Sequence, residues 1–172
     1  MCPNWCSNDI TFSGEESEVK RFIEFVKTDK SEFDFNTAIP YPEKWAEIDA
    51  AWEDAFRNGF PNGDVTSAFS DMGGYHWCID NWGTKWNAYE PSRSDIEVYG
   101  GVSQVTYYFD TAWSPPIPVI KKLGELFPTL TVYMHYREEG MLFEGEVQIS
   151  NGEIFSEREW ELHEPEEEGE DY

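Results

Sequence analysis

The spacing of apolar residues changes several times along the chain, and each change predicts a new secondary-structure element. In CSNDITFS, residues 6–13, apolar and polar positions alternate, which predicts a short strand with Ile10 and Phe12 on one face. Ser13 and Glu16 have the spacing of a capping box, so Ser13 is expected to be the N-cap of a helix. That helix has one apolar stripe at intervals of three and four residues: Val19, Phe22, Ile23 and Val26.

The next segment has the pattern of helices separated by a polar loop. Pro40 and Pro42 interrupt the chain, and a second helix is predicted from near Glu43 to Gly59. Four large apolar residues share one side of this helix: Trp45, Ile48, Trp52 and Phe56. Residues 60–74 are rich in glycine and are expected to form a loop. A short helix should follow from Tyr75 to Trp82 and end at Gly83.

After Pro91 the period returns to two and predicts a set of strands. Segments 95–99 and 103–109 are joined by Gly100-Gly101, a hairpin signal. Segments 129–136 and 141–149 are expected to pair with each other, and a short strand to follow the Asn151-Gly152 turn. The predicted inward faces of the pair are Leu130, Val132, Met134 and Tyr136, then Met141, Phe143, Val147 and Ile149.

One more helix is expected between these strands. Ser114-Pro115-Pro116 predicts its start, with Ser114 as N-cap and proline at the first helical position. Pro128 should end it. The predicted core stripe consists of Val119, Ile120, Leu123, Leu126 and Phe127.

The order of elements predicts an α+β fold. Without the helical segment at about 36–90, it is the ferredoxin-like (split βαβ) arrangement, an antiparallel sheet with helices on one face. A chain of 172 residues suits one domain, predicted at 1–156 with the helical insertion after its first helix. Residues 157–172 are expected to be an acidic, disordered tail.

Charge restricts the partners. The chain has 35 acidic and 12 basic residues, a net charge of −23. The segment 157–172 has nine acids and one arginine, which is −8, so −15 remains on 1–156. Such a field repels nucleic acid and anionic membranes and favours a protein partner with a basic surface. Acidity also serves solubility, which is the alternative interpretation.

Location and thiol chemistry follow from what the sequence lacks. No apolar run reaches the roughly 18 residues that span a bilayer. The first residues have no basic region followed by an apolar stretch, so we expect a cytoplasmic protein without membrane contact. Three cysteines, an odd number, are expected to be free thiols.

Several short motifs resemble a known family. Residues 1–8, MCPNWCSN, are similar to an opening Met-Pro-Asn-Trp-Cys-(Ser/Glu)-Asn. Residues 80–88 resemble an acid followed by Asn-Trp-Gly-Thr-Lys-Trp-Asn, and 109–116 resemble Phe-x-Thr-Ala-Trp-x-Pro-Pro. With the similar segment 136–145, they resemble the YubB ferredoxin-like domain family of small phage and plasmid proteins. The resemblance implies a ferredoxin-like fold and a bacterial mobile element, without an established activity. The extra Cys2 and the acidic tail depart from the pattern.

No arrangement of residues predicts a cofactor. Cys2, Cys6, His76 and Cys78 could be considered as a zinc set, but His76 and Cys78 point about 200° apart on one helix. Because side chains two residues apart do not meet on a helix, His76 is also not placed to act as the base for a Cys78 nucleophile. The sequence also lacks nucleophile-elbow, metalloprotease and phosphate-loop motifs, which disfavours an enzyme.

The motif DNWGTKWNA, residues 80–88, has two interpretations. Its tryptophans can cover the end of the sheet while its asparagines bind backbone amides. Alternatively, the tryptophans line a binding groove together with residues from the other motifs. In that case Lys85 pairs with an aspartate or captures an anionic group. Exposure of the indoles distinguishes the two. The candidate groove consists of Trp5, Asp80, Asn81, Trp82, Lys85, Trp86, Asn87, Asp110 and Trp113.

Three functions are therefore considered. The first is a non-enzymatic accessory protein of a phage or mobile element that binds a protein in the bacterial cytosol. The second is an acidic mimic of nucleic acid that inhibits a host defence nuclease or another DNA-binding protein. The third is a small hydrolase or transferase that uses Cys78 or a carboxylate pair, which would require a thiol of depressed pKa or a deep polar pocket.

Overall fold

A computed structural model describes residues 4–58 and 73–163. Its strands are β1 (Trp5–Gly14), β2 (Tyr89–Arg93), β3 (Glu97–Tyr99), β4 (Val102–Ala112), β5 (Thr131–Glu138), β6 (Phe143–Ser150) and β7 (Glu153–Glu161). Its helices are α1 (Glu16–Val26), α2 (Glu43–Asn58), α3 (Gly73–Trp82) and α4 (Ile117–Leu126), with a short 3-10 helix at Phe35–Thr37. The segment predicted as a helical insertion therefore holds α2 and α3, between α1 and β2.

One antiparallel sheet contains all the strands of these residues. Its order is β2-β4-β1-β5-β6-β7, and β3 also pairs with β4. Because each neighbouring pair is antiparallel, β1 and β2 run in the same direction on either side of β4. For the same reason β4 and β5 run in the same direction on either side of β1.

Helices α1 and α4 cover one face of this sheet. Phe22 of α1 stacks on Phe12 of β1 at 3.9 Å between ring centroids. A Cβ on Gly124 of α4 would meet Ile149 of β6. Phe12, Val132 and Ile149 are successive partners across β1, β5 and β6, so both helices lie on the same side. The fold is therefore α+β with an antiparallel sheet, as predicted.

The predicted core faces are largely confirmed. All four residues of the α1 stripe are buried. So are the predicted inward residues of β5 and, in β6, Val147 and Ile149. Each large apolar side chain buried in this way contributes about 1.5–3 kcal/mol. Two predicted core residues are exposed: Leu126, at the end of α4, and Met141, in the turn before β6.

Both predicted N-caps are wrong. Ser13 belongs to β1 and lies opposite Gln104 and Thr131, so the sheet fixes its backbone. The N-cap of α1 is Glu15, whose side chain makes no capping bond. The N-cap of α4 is Pro116, and the Ser114 hydroxyl donates instead to the Gly83 carbonyl oxygen at 2.6 Å.

Strand β2 is absent from the prediction because it contains Pro91. Its pairing with β4 is interrupted between Tyr89 and Ser92, and it is the last strand at its side of the sheet. An edge position with a bulge is where a strand tolerates proline. The hairpin between β3 and β4 is as predicted, with positive φ at Gly100 and Gly101.

Strand β7 is longer than the short strand expected. It follows a turn with φ of 54° at Asn151 and 77° at Gly152, as the sequence indicates. It continues to Glu161, so the predicted boundary at residue 156 falls inside a strand. Residues 164–172 of the predicted tail lie outside the described residues.

Helices α2 and α3 begin and end close to their predicted positions. Trp45 and Ile48 are half-buried. The side chains of Trp52 and Phe56, Gly59 and the loop at 60–72 lie outside what the structure describes. Gly83, with φ of 78°, follows the last residue of α3 as a C-terminal glycine should. None of the helices described combines the length and the apolar character needed to cross a membrane.

Candidate functional site: an aromatic cavity and an exposed aromatic patch

The end of α3 belongs to the core. Trp82 is 4% exposed, and its indole N–H donates to the Ile39 carbonyl oxygen at 2.9 Å. Its ring packs against Phe35 at 5.6 Å and Tyr41 at 5.7 Å between centroids. Trp82 therefore anchors α3 to the segment after α1, and little of its surface is exposed.

Asn87 joins two distant parts of the chain. Its side-chain oxygen accepts the Phe35 and Ala88 N–H groups, and its amide nitrogen donates to Asp34 Oδ1 at 2.8 Å. Burial alone would raise the pKa of Asp34, but hydrogen bonds from Asn87, Asn36 and Thr28 hold it below its usual value. Asn87 thus has the structural role that the sequence offered as one alternative.

The other polar residues of the motif divide in a similar way. Asn81 donates to the Trp77 carbonyl oxygen one turn earlier at 2.9 Å, so it stabilises α3. Asp80 is exposed on the same helix. Lys85 forms no ion pair with Asp80 or Asp110, so the predicted pairing is wrong.

Lys85 lies between two aromatic rings. Its ammonium is 4.9 Å from the centroid of Tyr75 and 4.8 Å from that of Trp86. Both distances are within the roughly 6 Å over which a cation is attracted to a ring face. The aromatic rings occupy the position for which the sequence suggested a carboxylate.

Three rings form an exposed aromatic patch, defined here as Trp5, Trp86 and Tyr89. Trp5 stacks on Tyr89 at 4.6 Å with 19° between the planes, and it lies 6.4 Å from Trp86. Trp86 is 45% exposed and Tyr89 is 47% exposed. Asp110 lies directly opposite Tyr89 in the sheet, which places a carboxylate next to the patch.

Trp113 has a different role. Its backbone has a φ of 72°, in the left-handed region that non-glycine residues rarely adopt. Its N–H donates to the Asn4 carbonyl oxygen at 2.9 Å, which ties the end of β4 to the start of β1. Of the candidate groove, the structure therefore brings Trp5, Lys85 and Trp86 together at the surface, beside Asp110.

A cavity of about 390 Å³ opens beside the patch, between α2, α3 and the loop after Gly83. We call it the α2–α3 cavity. This volume is within the range of small-ligand sites. Its lining combines four aromatic residues with three charged and three other residues: Tyr41, Asp49, Glu53, Gly74, Tyr75, Cys78, Trp82, Lys85, Trp86 and Asn87.

Tyr41 and Asp49 form the most strongly fixed polar pair of the cavity. The Tyr41 hydroxyl donates to Asp49 Oδ2 at 2.6 Å. Burial and this carboxylate raise the pKa of Tyr41, so the hydroxyl keeps its proton. Gly74 makes the close approach possible, because a Cβ there would collide with the Tyr41 hydroxyl.

The raised pKa values of Cys78 and Cys6 disfavour a role as nucleophiles. Burial, followed by the nearby charge of Asp49, raises the pKa of Cys78 to about 11. Burial raises the pKa of Cys6 to about 12. A reactive thiol needs a depressed pKa, so neither geometry supports covalent catalysis.

Three of the four residues considered as a zinc set lie in the described part of the chain: Cys6, His76 and Cys78. His76 is exposed and Cys78 is buried, so they face different sides of α3. Cys2 lies outside the described residues. In segments 4–58 and 73–163, no three His, Cys, Asp or Glu side chains lie close enough to hold a metal ion.

Sequence reasoning missed several residues of the site. Tyr41, Asp49 and Glu53 come from the segment before and along α2, and Tyr75 begins the part of α3 that faces them. The available signal was two acids at positions i and i+4 on α2, which places Asp49 and Glu53 on one helix face. Nothing in their spacing indicated that this face lies opposite Lys85.

Comparison with known proteins identifies the domain. Residues 82–172 match a family model described as the ferredoxin-like domain in Api92-like protein. The fold is similar to the crystal structure of a protein api92 from Yersinia pseudotuberculosis, with a TM-score of 0.54 and 9% identity. That match covers 95% of this chain and 100% of the other, and at this identity it shows the fold alone. No curated protein matches the chain.

Proposed function

The chain belongs to the family described as the ferredoxin-like domain in Api92-like protein, and we propose that it is a non-enzymatic accessory protein that acts by binding another protein. Its setting is the cytosol of a bacterium that carries a phage or another mobile element. The motif resemblance to the YubB family supports this setting. The partner presents a basic surface, since the chain has a net charge of −23.

We also infer that the sheet contains the split βαβ core of a ferredoxin-like fold. The supporting observation is the strand order β2-β4-β1-β5. In this order β4 lies between β2 and β1, and β1 lies between β4 and β5. Helices α1 and α4 are then the two crossover helices. In this interpretation α2 and α3 form an insertion, while β6 and β7 extend the sheet.

The exposed aromatic patch is the observation that carries the binding proposal. Trp86 and Tyr89 leave nearly half of their surface in water although the core of this chain accommodates many aromatic rings. Exposed tryptophan and tyrosine are enriched among the residues that dominate binding energy at protein interfaces. The stacking of Trp5 on Tyr89 holds two of the rings in place before a partner arrives, which lowers the entropy lost on binding.

The test is a pull-down from bacterial lysate with three proteins: wild type, Trp86→Ala and Trp160→Ala. Trp160 is a matched control, because it is 41% exposed and lies on β7, away from the patch. The partner should be retained by wild type and Trp160→Ala. With the purified partner, Trp86→Ala should bind at least about tenfold more weakly. Equal affinity of Trp86→Ala and wild type would contradict the proposal.

The nucleic-acid mimic is the second candidate, and a row of carboxylates favours it. Strand β7, the last in the sheet order, has a glutamate at every second position from 157 to 161: Glu157, Glu159 and Glu161. Successive glutamates of this row are about 6.8 Å apart along the strand. A regular row of negative charge is what a basic nucleic-acid channel recognises. Duplex DNA added to the pull-down should then release the partner, and replacement of the three glutamates by glutamine should weaken binding. If DNA leaves the complex intact, this candidate fails while the aromatic proposal stands.

A further inference from the structure

We propose that the α2–α3 cavity is a receptor for the cationic side chain of an arginine on the partner protein. In the free protein the ammonium of Lys85 occupies the position of that guest. The inference rests on the proposed function, because it assigns one contact of the same protein complex.

The rings around Lys85 are the first observation. Its ammonium lies within 5 Å of the ring centroids of Tyr75 and Trp86, and both rings line the cavity. Tyr41 and Trp82 complete an aromatic wall. Aromatic cages of this kind bind organic cations through the negative faces of the rings.

The charges of the cavity are the second observation. Asp49 and Glu53 line it from α2, and together with Lys85 these three groups carry one net negative charge. Arg57, which is not among the lining residues, pairs with Glu53 at 3.8 Å in an exposed position. The hydrogen bond from Tyr41 holds Asp49 in a fixed orientation. An anionic guest would meet two carboxylates and the field of a chain with a net charge of −23, whereas a cation is attracted by both.

Arginine fits this arrangement better than other cations. Its planar guanidinium can stack on one ring while its N–H groups donate to a carboxylate such as Asp49. A cavity of about 390 Å³ leaves more room than a lysine ammonium requires. When the guest enters, Lys85 returns to water, where its charge is fully hydrated.

The experiment measures binding of N-acetyl-arginine amide by chemical shifts of the indole N–H groups. Lys85→Ala empties the cage and should bind the probe about 2- to 30-fold more tightly than wild type, the range that a cation–π contact spans. Lys85→Arg keeps a cation in the cage and should bind like wild type. Lys122→Ala is the matched control, because it removes the same charge from an exposed position paired with Glu125.

A further variant tests the rings. Tyr75→Leu, made together with Lys85→Ala, should lose the gain in affinity. Near-ultraviolet circular dichroism checks that each variant is folded. The inference is overturned if Lys85→Ala binds the probe no better than wild type and Lys122→Ala. It is also overturned if inorganic phosphate binds wild type and Lys85→Ala loses it, since the cavity would then be an anion site.

These outcomes can be separated from those of the proposed function. Suppose that the pull-down finds a partner that depends on Trp86, but Lys85→Ala does not bind the arginine probe. The binding role then stands, and the cavity is rejected as the arginine receptor. Probe binding without any Trp86-dependent partner would give the reverse result. When both hold, Lys85→Ala should also bind the purified partner more tightly than Lys122→Ala does.

Discussion

Replacing Asn87 by alanine should lower the free energy of unfolding, because three hydrogen bonds are lost. The side chain makes two hydrogen bonds to backbone N–H groups and one to the Asp34 carboxylate. A neutral hydrogen bond contributes about 1 kcal/mol and one to a charged group about 1.5–3 kcal/mol. Water can reach part of this half-buried cluster, so we expect a loss of about 2–4 kcal/mol in the free energy of unfolding.

The dependence of this loss on pH has a definite sign. The pKa of Asp34 is lower in the folded state than in the unfolded state, so its stabilisation is present above the unfolded pKa of about 3.9. That stabilisation is lost as the pH falls through the folded pKa. The difference in stability between wild type and Asn87→Ala should therefore be largest near neutral pH and become smaller below about pH 4.

Urea denaturation at several pH values measures both effects, and thermal unfolding should show a decrease of roughly 5–12 °C. Asn58→Ala is the control, because Asn58 makes one exposed hydrogen bond to Asp54 on α2. It should change stability by less than about 0.5 kcal/mol. A loss below about 1 kcal/mol in Asn87→Ala would refute the role of Asn87 as the link between the motif and the segment after α1.

Two substitutions and one labelling reaction test the packing of the fold. Trp82→Phe removes the indole donor to the Ile39 carbonyl oxygen and should lower the free energy of unfolding, measured by urea denaturation, by about 1–3 kcal/mol. An unchanged urea midpoint would show that this hydrogen bond is not formed. Gly145→Ala should cost at least about 1–3 kcal/mol by the same measurement, because its Cβ would collide with the Tyr136 ring and come within 2.7 Å of the Arg158 carbonyl oxygen. Cys78, with a pKa raised to about 11, should react with iodoacetamide at pH 8 much more slowly than a free cysteine; labelling as fast as glutathione would contradict its burial.

The proposed site could be located from the sequence only in part. DNWGTKWNA was recognisable because it concentrates tryptophans and a lysine in an otherwise acidic chain. Its pattern could not distinguish Trp82, which is buried, from Trp86, which is exposed, because both are equally apolar and lie four residues apart. The distinction arises because α3 ends between them at Gly83, where the chain changes direction and separates the two rings.

The sequence by itself determined most of the secondary structure. The period of apolar residues indicated α1, α4 and β5, because these elements bury one face and expose the other. The Gly100-Gly101 pair indicated the hairpin. It did not indicate β2, since Pro91 is acceptable there only because the strand pairs at an edge of the sheet. Nor did it determine that neither serine would be a helix cap. Ser13 pairs within β1, and the Ser114 hydroxyl donates to the Gly83 carbonyl oxygen.

Tertiary structure decided the chemistry of the site. Asp49, Tyr75 and Lys85 are separated from one another by 10 to 36 positions in the chain, yet they line one cavity because α2 and α3 fold back beside the loop after Gly83. Local patterns report which face of an element is apolar. They do not report which other element that face meets, because that depends on contacts between residues far apart in the sequence. The sequence therefore specified the tryptophans and the charge, and the packing of α2 against α3 placed a lysine among aromatic rings next to two carboxylates.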